Sequence, residues 1–399
     1  MALRISNKMQ VVRGSVIREM AEAAAKRRGG AISFANGNPS SDSFPVRDFA
    51  RFAADAFATD PDAVLQYGLS QGYTPLIEDL KQRLSSKWGI DFEKNDLIIV
   101  SGGQQACDFA SKVLLNEGDV VITEEPSFSS CYNTFRAYGA KLVGVPMQED
   151  GMDMEKLAAA LEAYPEARMI YVIPSFQNPT GFSTSMKKRE QIYAFAEKYN
   201  VAIFEDDPYC EIRFEGEDIK PIKSIDKAGV VVYAGSFSKT MAPAFRLGFV
   251  VFDKSLTTHM IVSKQTTDVH SSLLFQHVTH RCMTECDFEG HLNDCRSIYR
   301  RKGRLMYSEL QKKLHPSVKL SRPEGGLFMM MFLPEGVNSL PFVWEALNRG
   351  VVCVPGSGFM IDQDAPNNGI RLCYSTVTEE EIIDGTDILG KLSYEWLEK

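Results

Sequence analysis

Short apolar segments alternate with longer amphipathic segments through the first three quarters of the chain. The apolar segments are LIIV, VVIT, MIYVI, VAIFE, VVVYA and LGFVVF, which begin at residues 97, 120, 169, 201, 230 and 247. Their length and their content of β-branched residues are typical of strands that are buried on both faces. Most are separated by helix-like stretches such as QQACDFASKVLLNEG. This alternation predicts an α/β fold with a mainly parallel sheet covered by helices.

The pattern changes after about residue 295. A long helical stretch is followed by the apolar segment LFMMMFL, a helix-like LPFVWEALNRG, the short segments VVCVPG and GIRLCYS, and a closing helix. Strands and helices in this mixed order predict a second, smaller α+β domain. We expect the N-terminal arm to complete it.

Composition limits the classes of function. The chain has 399 residues, of which 44% are hydrophobic and 24% charged, as in ordinary globular proteins. No apolar stretch approaches the ~18 residues of a membrane span, and MALRISNKMQ lacks the apolar region of a signal peptide. The net charge of -8 offers no general basic surface for nucleic acid. We therefore expect a cytoplasmic protein with neither a membrane nor a nucleic acid as partner.

The eight cysteines predict reduced thiols, because nothing in the sequence indicates a secretory context. Cys282, Cys286, His291 and Cys295 have the look of a zinc knuckle. Their spacing is also that of neighbours on successive turns of one helix. A continuous helix could not bring four ligands around one ion, so we expect no metal site.

Polar residues follow several of the predicted strands, at the sheet edge where ligands bind in such folds. Gly103 and Gln104 follow LIIV and offer backbone amides at a helix N-terminus, which suit a phosphate; the alternative is an ordinary turn. Asn178 follows MIYVI, where a plain Asn-Pro turn is the alternative. Asp206 and Tyr209 follow VAIFE, where the alternative is a solvated turn.

The segment SFSKTMAPAFRLG contains Lys239 between two predicted buried strands. A surface lysine is the ordinary alternative, but a lysine in the interior must be neutralised, paired or used chemically. Ser236, Ser238 and Arg246 lie close by in sequence. Together with the other loops, this set suits a phosphorylated aromatic aldehyde that is held by the lysine.

The motifs resemble the fold-type I, class I/II aminotransferases, which use pyridoxal 5′-phosphate. The resemblance is strongest to the 2-aminoadipate aminotransferases and to the aminotransferase-like domains of MocR regulators. It runs nearly end to end through ISFANGNPSSDSFP, QYGLSQGYTPL, SGGQQACDF, SFQNPTG, FEDDPY, SFSKTMAPAFRLG, PEGGLF, VPGSGF and GIRLCYS. It implies a seven-stranded, mainly parallel sheet in a large domain at residues 46–294. A small domain at residues 295–399 and an N-terminal arm at residues 1–45 would complete the fold and the active site.

The resemblance also gives each residue around the cofactor ring an implied role. Lys239 would bond to the cofactor and then carry a proton, as a lysine with a lowered pKa can do. Asp206 would pair with the ring nitrogen and keep the ring electron-withdrawing. Tyr209 and Asn178 would bind the phenolic oxygen of the ring. Phe128 would stack on the ring where many relatives have a tyrosine, so that a hydroxyl is lost.

The phosphate contacts are implied in the same way. Gly103 and Gln104 amides, the hydroxyls of Ser236 and Ser238, and the guanidinium of Arg246 would hold the phosphate, which a planar cation suits. Gly103 stands where a residue with a hydroxyl is common, so one side-chain contact is lost.

Substrate and partner residues follow from the resemblance too. Tyr67 would reach the phosphate bound by a second subunit, which implies a homodimer with shared active sites. Arg371 would bind the substrate α-carboxylate, assisted by Gly37 and Asn178. Arg18 would cover the site and pair with a distal carboxylate; the alternative is a solvated arginine on the first helix.

The implied activity is amino transfer from an L-amino acid, whether 2-aminoadipate-like, aromatic or aliphatic, to a 2-oxo acid such as 2-oxoglutarate. Two alternatives stay open. A carbon-sulfur β-lyase would use the same cofactor motifs. A ligand-sensing regulator would carry a winged helix and linker, whereas we expect only about 45 residues before the large domain.

Overall fold

The computed structural model describes residues 3–14, 16–26 and 30–398. The helices of this part are α1 (Asn7–Gln10), α2 (Val16–Lys26), α3 (Val46–Thr59), α4 (Pro61–Leu65), α5 (Thr74–Trp88), α6 (Gly103–Leu114), α7 (Ser129–Ala137), α8 (Met154–Ala163), α9 (Met186–Tyr199), α10 (Thr257–Gln265), α11 (Leu273–Glu285), α12 (Phe288–Lys313), α13 (Ser339–Asn348) and α14 (Glu379–Leu397). The strands are β1 (Ile32–Ser33), β2 (Asn95–Val100), β3 (Val120–Glu125), β4 (Lys141–Gln148), β5 (Gly151–Met152), β6 (Ala167–Val172), β7 (Ala202–Asp206), β8 (Val231–Ser236), β9 (Gly248–Asp253), β10 (Lys319–Leu320), β11 (Phe328–Phe332), β12 (Val351–Val352), β13 (Val354–Pro355) and β14 (Gly369–Cys373).

The large sheet has the strand order β2-β9-β8-β7-β6-β3-β4-β5. Strands β4, β3, β6, β7 and β8 are paired in parallel, whereas β9 is antiparallel to both of its neighbours. The prediction of an α/β fold with a mainly parallel sheet is confirmed. An eighth strand, the two-residue β5, extends the expected seven through a hairpin with β4.

Both faces of the large sheet are covered, as the uniformly apolar strands predict. In β2, Ile98 and Val100 pack into one hydrophobic cluster and Leu97 and Ile99 into another on the opposite face. This period of two follows from the pleat of a strand. All four side chains are buried, and each contributes roughly 1.5–3 kcal/mol relative to an exposed position. The resulting rigid sheet fixes the positions of the loops at its carboxyl edge.

A smaller antiparallel sheet has the order β10-β11-β14-β13, and helices α12, α13 and α14 accompany it in sequence. Near the N-terminus, β1 pairs in parallel with β12, so the start of the chain joins the C-terminal part. Helix α12 runs without a break through the domain boundary that we expected at residues 294 and 295.

The stretch around Cys286 is not the continuous helix that we expected. It is divided into α11 and α12, because Cys286 leaves the helical conformation and the Asp287 side chain caps the next helix. His291 Nε2 lies 2.5 Å from the carbonyl oxygen of Thr240, to which it donates, and 3.7 Å from Cys295 Sγ. Within residues 3–14, 16–26 and 30–398, no group of three or more His, Cys, Asp or Glu side chains is arranged to hold a metal ion.

No helix in the described part of the chain combines the length and the apolar character that crossing a membrane requires.

Candidate active site

A cavity of about 280 Å³ lies where the carboxyl edge of the large sheet faces the smaller sheet. Strands β7 and β8 end at it, and β11 and β14 contribute one residue each from the other side. The predicted site residues that line it are Gly37, Gly103, Gln104, Phe128, Asn178, Asp206, Tyr209, Ser236, Ser238, Lys239, Arg246 and Arg371. Residues far apart in sequence thus meet in one place.

Lys239 lies just beyond β8 and is half-buried. Its Nζ donates a hydrogen bond of 2.7 Å to the carbonyl oxygen of Gly37. The pKa of Lys239 is lowered to about 8, mainly by burial and also by the nearby cations Arg371 and Arg246, against the opposing effects of Cys373 and Asp206. About a tenth of the amine is therefore neutral at pH 7, and the neutral form is the one that both a nucleophile and a base require.

Asp206 is the last residue of β7 and is 7% exposed. Burial raises the pKa of its carboxyl to about 7, and the neighbouring Asp207 raises it as well. A hydrogen bond from the Tyr171 hydroxyl, at 3.2 Å, and the charge of Lys239 act in the opposite direction. A cationic group that enters the cavity would shift this carboxyl toward its ionised form.

The N-terminus of α6 points into the cavity through Gly103 and Gln104. Amides in the first turn of a helix have no intrahelical acceptor, and the helix dipole favours an anion there. Gly102, which precedes them, has a φ of 86°. A β-carbon at Gly102 would stand 2.7 Å from Arg246 Nη2, so the close approach of this arginine requires glycine.

Arg246 is held toward the same helix end. Its Nη2 donates to the carbonyl oxygen of Ser101 at 3.3 Å and its Nη1 to that of Pro243 at 3.2 Å. Ser236 and Ser238 line the same wall, where the Ser238 amide donates to Ser236 Oγ at 3.1 Å. Amides, hydroxyls and a permanent cation together suit a phosphate group.

Lys264 supports this wall from behind, and sequence reasoning missed it. Its ammonium group is fully buried and donates to Gln105 Oε1 at 2.7 Å and to Ser271 Oγ at 2.8 Å, while pairing with Asp268 at 3.0 Å. Gln105 Oε1 also accepts from the Ser101 amide at 2.7 Å. The network braces the turn that leads into α6. A lysine in the otherwise polar KQTTDVHSS gives no sign of this role in the sequence alone.

Arg371 in β14 is a buried cation at 1% exposure. Its Nη1 donates to Asn178 Oδ1 at 3.0 Å and its Nη2 to the carbonyl oxygen of Ala35 at 2.5 Å, whereas its buried Nε has no partner among the described residues. The rings of Phe328 and Phe359 flank the guanidinium at 4.4 and 4.9 Å. Burial lowers the pKa of Arg371 to about 10. A buried guanidinium without an acidic partner in the described structure suits the carboxylate of a ligand.

Three further residues shape the cavity. Tyr209 is 5% exposed, and burial raises its phenolic pKa, so it stays a hydrogen-bond donor. Phe128 stands at the start of α7. A β-carbon at Gly37 would lie 2.8 Å from Phe328 Cζ, so glycine keeps this part of the cavity open.

Tyr67 and Arg18 do not line this cavity. Tyr67 is 81% exposed on the segment between α4 and α5, with its ring 5.9 Å from that of His270. Arg18 is exposed on α2 and lines a separate surface depression with Trp344 and Ser357. The single chain therefore leaves the predicted roles of both residues as predictions.

Several lining residues were not predicted. They are Asn38, Cys131, Ile173, Pro208 and Phe328. Most are apolar or small, and in the sequence such residues cannot be distinguished from those of the core. Phe328 is the last residue of the motif PEGGLF, which was a usable signal.

The shape and the chemistry of this cavity fit pyridoxal 5′-phosphate. A lysine whose charge is suppressed lies near a buried carboxyl, and the α6 N-terminus with Arg246 offers a seat for an anion. Arg371 Nε, for which the described residues provide no acceptor, offers a second buried donor for an anionic group. The fold and the cavity together define a fold-type I enzyme that depends on pyridoxal 5′-phosphate.

The chain belongs to the family of class I and II aminotransferases, whose model matches residues 30–387. It is 31% identical to an aromatic-amino-acid aminotransferase of Thermococcus litoralis, over 99% of this chain and 95% of that protein. It is 33% identical to a 2-aminoadipate transaminase of Thermus thermophilus, over 95% and 94% of the two chains. A solved kynurenine aminotransferase of Pyrococcus horikoshii superposes with a TM-score of 0.94, at 33% identity, over 98% of this chain and 97% of that one. The chain is thus a pyridoxal-phosphate-dependent aminotransferase that acts on amino acids.

Proposed function

We propose that this enzyme transfers the amino group of a 2-aminoadipate-like, aromatic or aliphatic L-amino acid to a 2-oxo acid, with 2-oxoglutarate as the acceptor. The observation that carries the proposal is Arg371, a buried guanidinium whose Nε has no acceptor in the described part of the chain and which lines the same cavity as Lys239. Both an amino acid and a 2-oxo acid carry the α-carboxylate that such a group binds. The names of the relatives, which act on aromatic amino acids, 2-aminoadipate and kynurenine, support this range of donors.

When bound, pyridoxal 5′-phosphate supplies a carbonyl carbon that exchanges the amino group and a ring that withdraws electrons from the substrate Cα. Lys239 would hold the cofactor through Nζ and, once released, move a proton from the substrate Cα. Its pKa of about 8 keeps a neutral fraction available for that step. Asp206 would pair with the ring nitrogen, and Tyr209 and Asn178 would bind the phenolic oxygen.

The phosphate would lie at the N-terminus of α6. The Gly103 and Gln104 amides, the Ser236 and Ser238 hydroxyls and Arg246 would hold it, and all of these residues line the same cavity. Phe128 would stack on the ring. Arg371 would orient the α-carboxylate while Asn178, to which it is hydrogen-bonded, fixes its position.

We further propose a homodimer with shared active sites. Tyr67 is 81% exposed, and the neighbouring Leu65 and Leu69 are 70% and 62% exposed. Exposed apolar side chains that lie close together in the chain favour burial against another surface. A second copy of the chain would cover them and place its own Tyr67 at the phosphate.

Arg18 would confer preference for dicarboxylic substrates. It lies on α2, and the chain between this helix and Gly37 includes β1, which leads directly toward the cavity wall. Movement of the helix over the cavity would bring a cation to the distal carboxylate.

We also propose a division into an arm at residues 1–45, a large domain at 46–294 and a small domain at 295–399, with α12 connecting the two domains. The proposed location is the cytoplasm. All eight cysteines are free thiols and most are buried, as expected in a reducing compartment.

A panel of donors tests the proposal. The purified holoenzyme is mixed with each L-amino acid, and the change of the cofactor spectrum to its aminated form is followed. Turnover is then measured with 2-oxoglutarate. Glutamate formation supports the proposal, whereas release of pyruvate and ammonia from a cysteine conjugate, without glutamate, would instead identify a β-lyase.

A further inference from the structure

The carboxylate of Asp206 directs its two oxygens to different sides. Oδ2 accepts a hydrogen bond of 3.2 Å from the hydroxyl of Tyr171. Oδ1 lies 3.6 Å from the point where a β-carbon on Gly103 would stand, at the N-terminus of α6. Asp206 and Gly103 line the cavity, whereas Tyr171 is not among the described residues that do so. The tyrosine thus contacts the carboxylate from the protein interior, and one oxygen remains directed to the cavity.

The position of the Tyr171 hydroxyl is fixed by packing. Tyr171 lies on β6 and is paired in register with Phe204 on β7, two residues before Asp206. Its ring stacks on Phe204 at 5.7 Å and meets Phe135 edge-on at 5.3 Å, and its side chain has no exposure. A buried phenol that packs between two rings cannot swing away, so its oxygen is held in one position.

We propose that Tyr171 is a positioning residue for transamination, whose hydroxyl binds Asp206 Oδ2, favours the ionised carboxylate and presents Oδ1 to the cationic ring nitrogen of the cofactor. This inference rests on the proposed role of Asp206. Burial raises the phenolic pKa of Tyr171 well above its usual value, so the tyrosine remains a proton donor throughout the working pH range.

The charges around Asp206 explain why one hydrogen bond matters there. Burial raises the pKa of the carboxyl to about 7, the Tyr171 hydrogen bond opposes this, Asp207 raises the pKa and Lys239 lowers it. Other titratable groups that lie nearby are Glu124 on β3, Cys107 on α6, Cys131 on α7 and Tyr209 beyond β7. Because the pKa lies close to neutrality, loss of the hydroxyl would leave most of the carboxyl protonated at pH 7 in the cofactor-free protein.

The test is the affinity of the cofactor-free protein for pyridoxamine 5′-phosphate, measured by fluorescence titration between about pH 5.5 and pH 8.5. This aminated form cannot bond to Lys239, so titration of the lysine amine does not limit binding. Tyr171→Phe removes one oxygen atom and keeps the ring. We expect its affinity at pH 7 to fall about tenfold, as for a hydrogen bond to a charged group. The pH at which binding becomes tight should rise by about one unit.

Tyr233→Phe is the matched control. Tyr233 is a buried tyrosine of the neighbouring strand β8 whose hydroxyl lies 3.8 Å from Cys210 Sγ. It packs in the hydrophobic cluster on the face of the sheet opposite to that of Tyr171. The Tyr233→Phe protein should bind pyridoxamine 5′-phosphate with the affinity of the wild type and with the same midpoint in its pH dependence.

The variant Asp206→Asn distinguishes the role of Tyr171 from the proposed role of Asp206, on which it rests. We expect Asp206→Asn alone to weaken binding of pyridoxamine 5′-phosphate. Adding Tyr171→Phe to Asp206→Asn should change the affinity less than about threefold, because the effect of the tyrosine on the cofactor passes through the Asp206 carboxylate. Equal losses in both backgrounds, or a Tyr171→Phe protein with wild-type affinity and midpoint, would overturn the role of Tyr171 alone. Wild-type affinity in Asp206→Asn would overturn the role of Asp206 and this inference with it.

Discussion

The Nζ of Lys239 donates a hydrogen bond of 2.7 Å to the carbonyl oxygen of Gly37, a residue 202 positions earlier in the chain. Gly37 comes just after β1, which pairs with β12 of the C-terminal part, whereas Lys239 follows β8 of the large sheet. The lysine is thus held where the two sheets face each other. Arg371, the proposed partner of the substrate α-carboxylate, lines the same cavity as Lys239. A substrate whose amine displaces Lys239 could therefore place its carboxylate against Arg371.

Substitution of Arg371 by alanine should impair every donor. The α-carboxylate is common to all amino acids, and loss of a bidentate charged pair costs about 3 kcal/mol, or roughly a hundredfold in kcat/KM. Half-reactions with leucine, phenylalanine and 2-aminoadipate measure this. Cofactor affinity should change little, because Arg371 is proposed to contact the substrate and not the phosphate. A loss confined to dicarboxylic donors would show that Arg371 binds the distal group instead.

Substitution of Arg18 by alanine should impair only dicarboxylic substrates. We expect kcat/KM for 2-aminoadipate and 2-oxoglutarate to fall roughly ten- to a hundredfold, while leucine and phenylalanine half-reactions stay near wild type. Arg4→Ala, which removes another exposed arginine of the same arm, is the control. Equal losses for all donors would assign Arg18 a structural role.

Tyr67→Phe tests the shared active site. The variant should remain a dimer by light scattering yet release its cofactor about tenfold more readily, since a hydrogen bond to a charged phosphate is lost. Tyr164→Phe, at another partly exposed tyrosine, should behave as wild type. A fully active monomer would contradict the proposal of shared sites.

Glu124 should make the cofactor-free protein less stable as pH rises. Burial raises the pKa of its carboxyl to about 8, against hydrogen bonds from the Ile173 amide and the Gln177 side chain. A folded pKa above the unfolded value gives stability that is complete below about pH 4.5 and is lost as pH rises through about 8, at about 1.4 kcal/mol per pKa unit. Glu124→Gln should flatten this part of the Tm profile between about pH 5 and pH 8. An unchanged slope would show that Glu124 does not titrate in that range.

The strands that frame the site were predictable because apolar residues dominate each of them. Strand β4 was not found, because Gly144 and Pro146 interrupt its sequence KLVGVPMQ and both residue types are disfavoured inside strands. The break between α11 and α12 was missed as well. There Asp287 acts as a helix cap, and its capping contact with the Gly290 amide depends on local geometry that the helical spacing hides.

The site residues were predictable to the extent that they follow strands or lie in motifs. Residues behind the cavity wall were not. Lys264 and Tyr171 each donate a hydrogen bond to a side chain on a different helix or strand, Gln105 and Asp206 respectively. The sequence does not show which helices and strands are neighbours. Tyr67 and Arg18 depend on a second copy of the chain or on movement of a helix, so one folded chain leaves their roles as predictions.

Lys239 is the central residue of the proposed function, because it would hold the cofactor and move the proton. Borohydride reduction of the holoenzyme fixes the cofactor to the amine that holds it, and mass spectrometry of the peptides identifies that amine. We expect the label on Lys239, and we expect Lys239→Ala to bind the cofactor without a covalent bond and to lose turnover. A label on another lysine, such as the buried Lys264 or Lys302, would contradict the account.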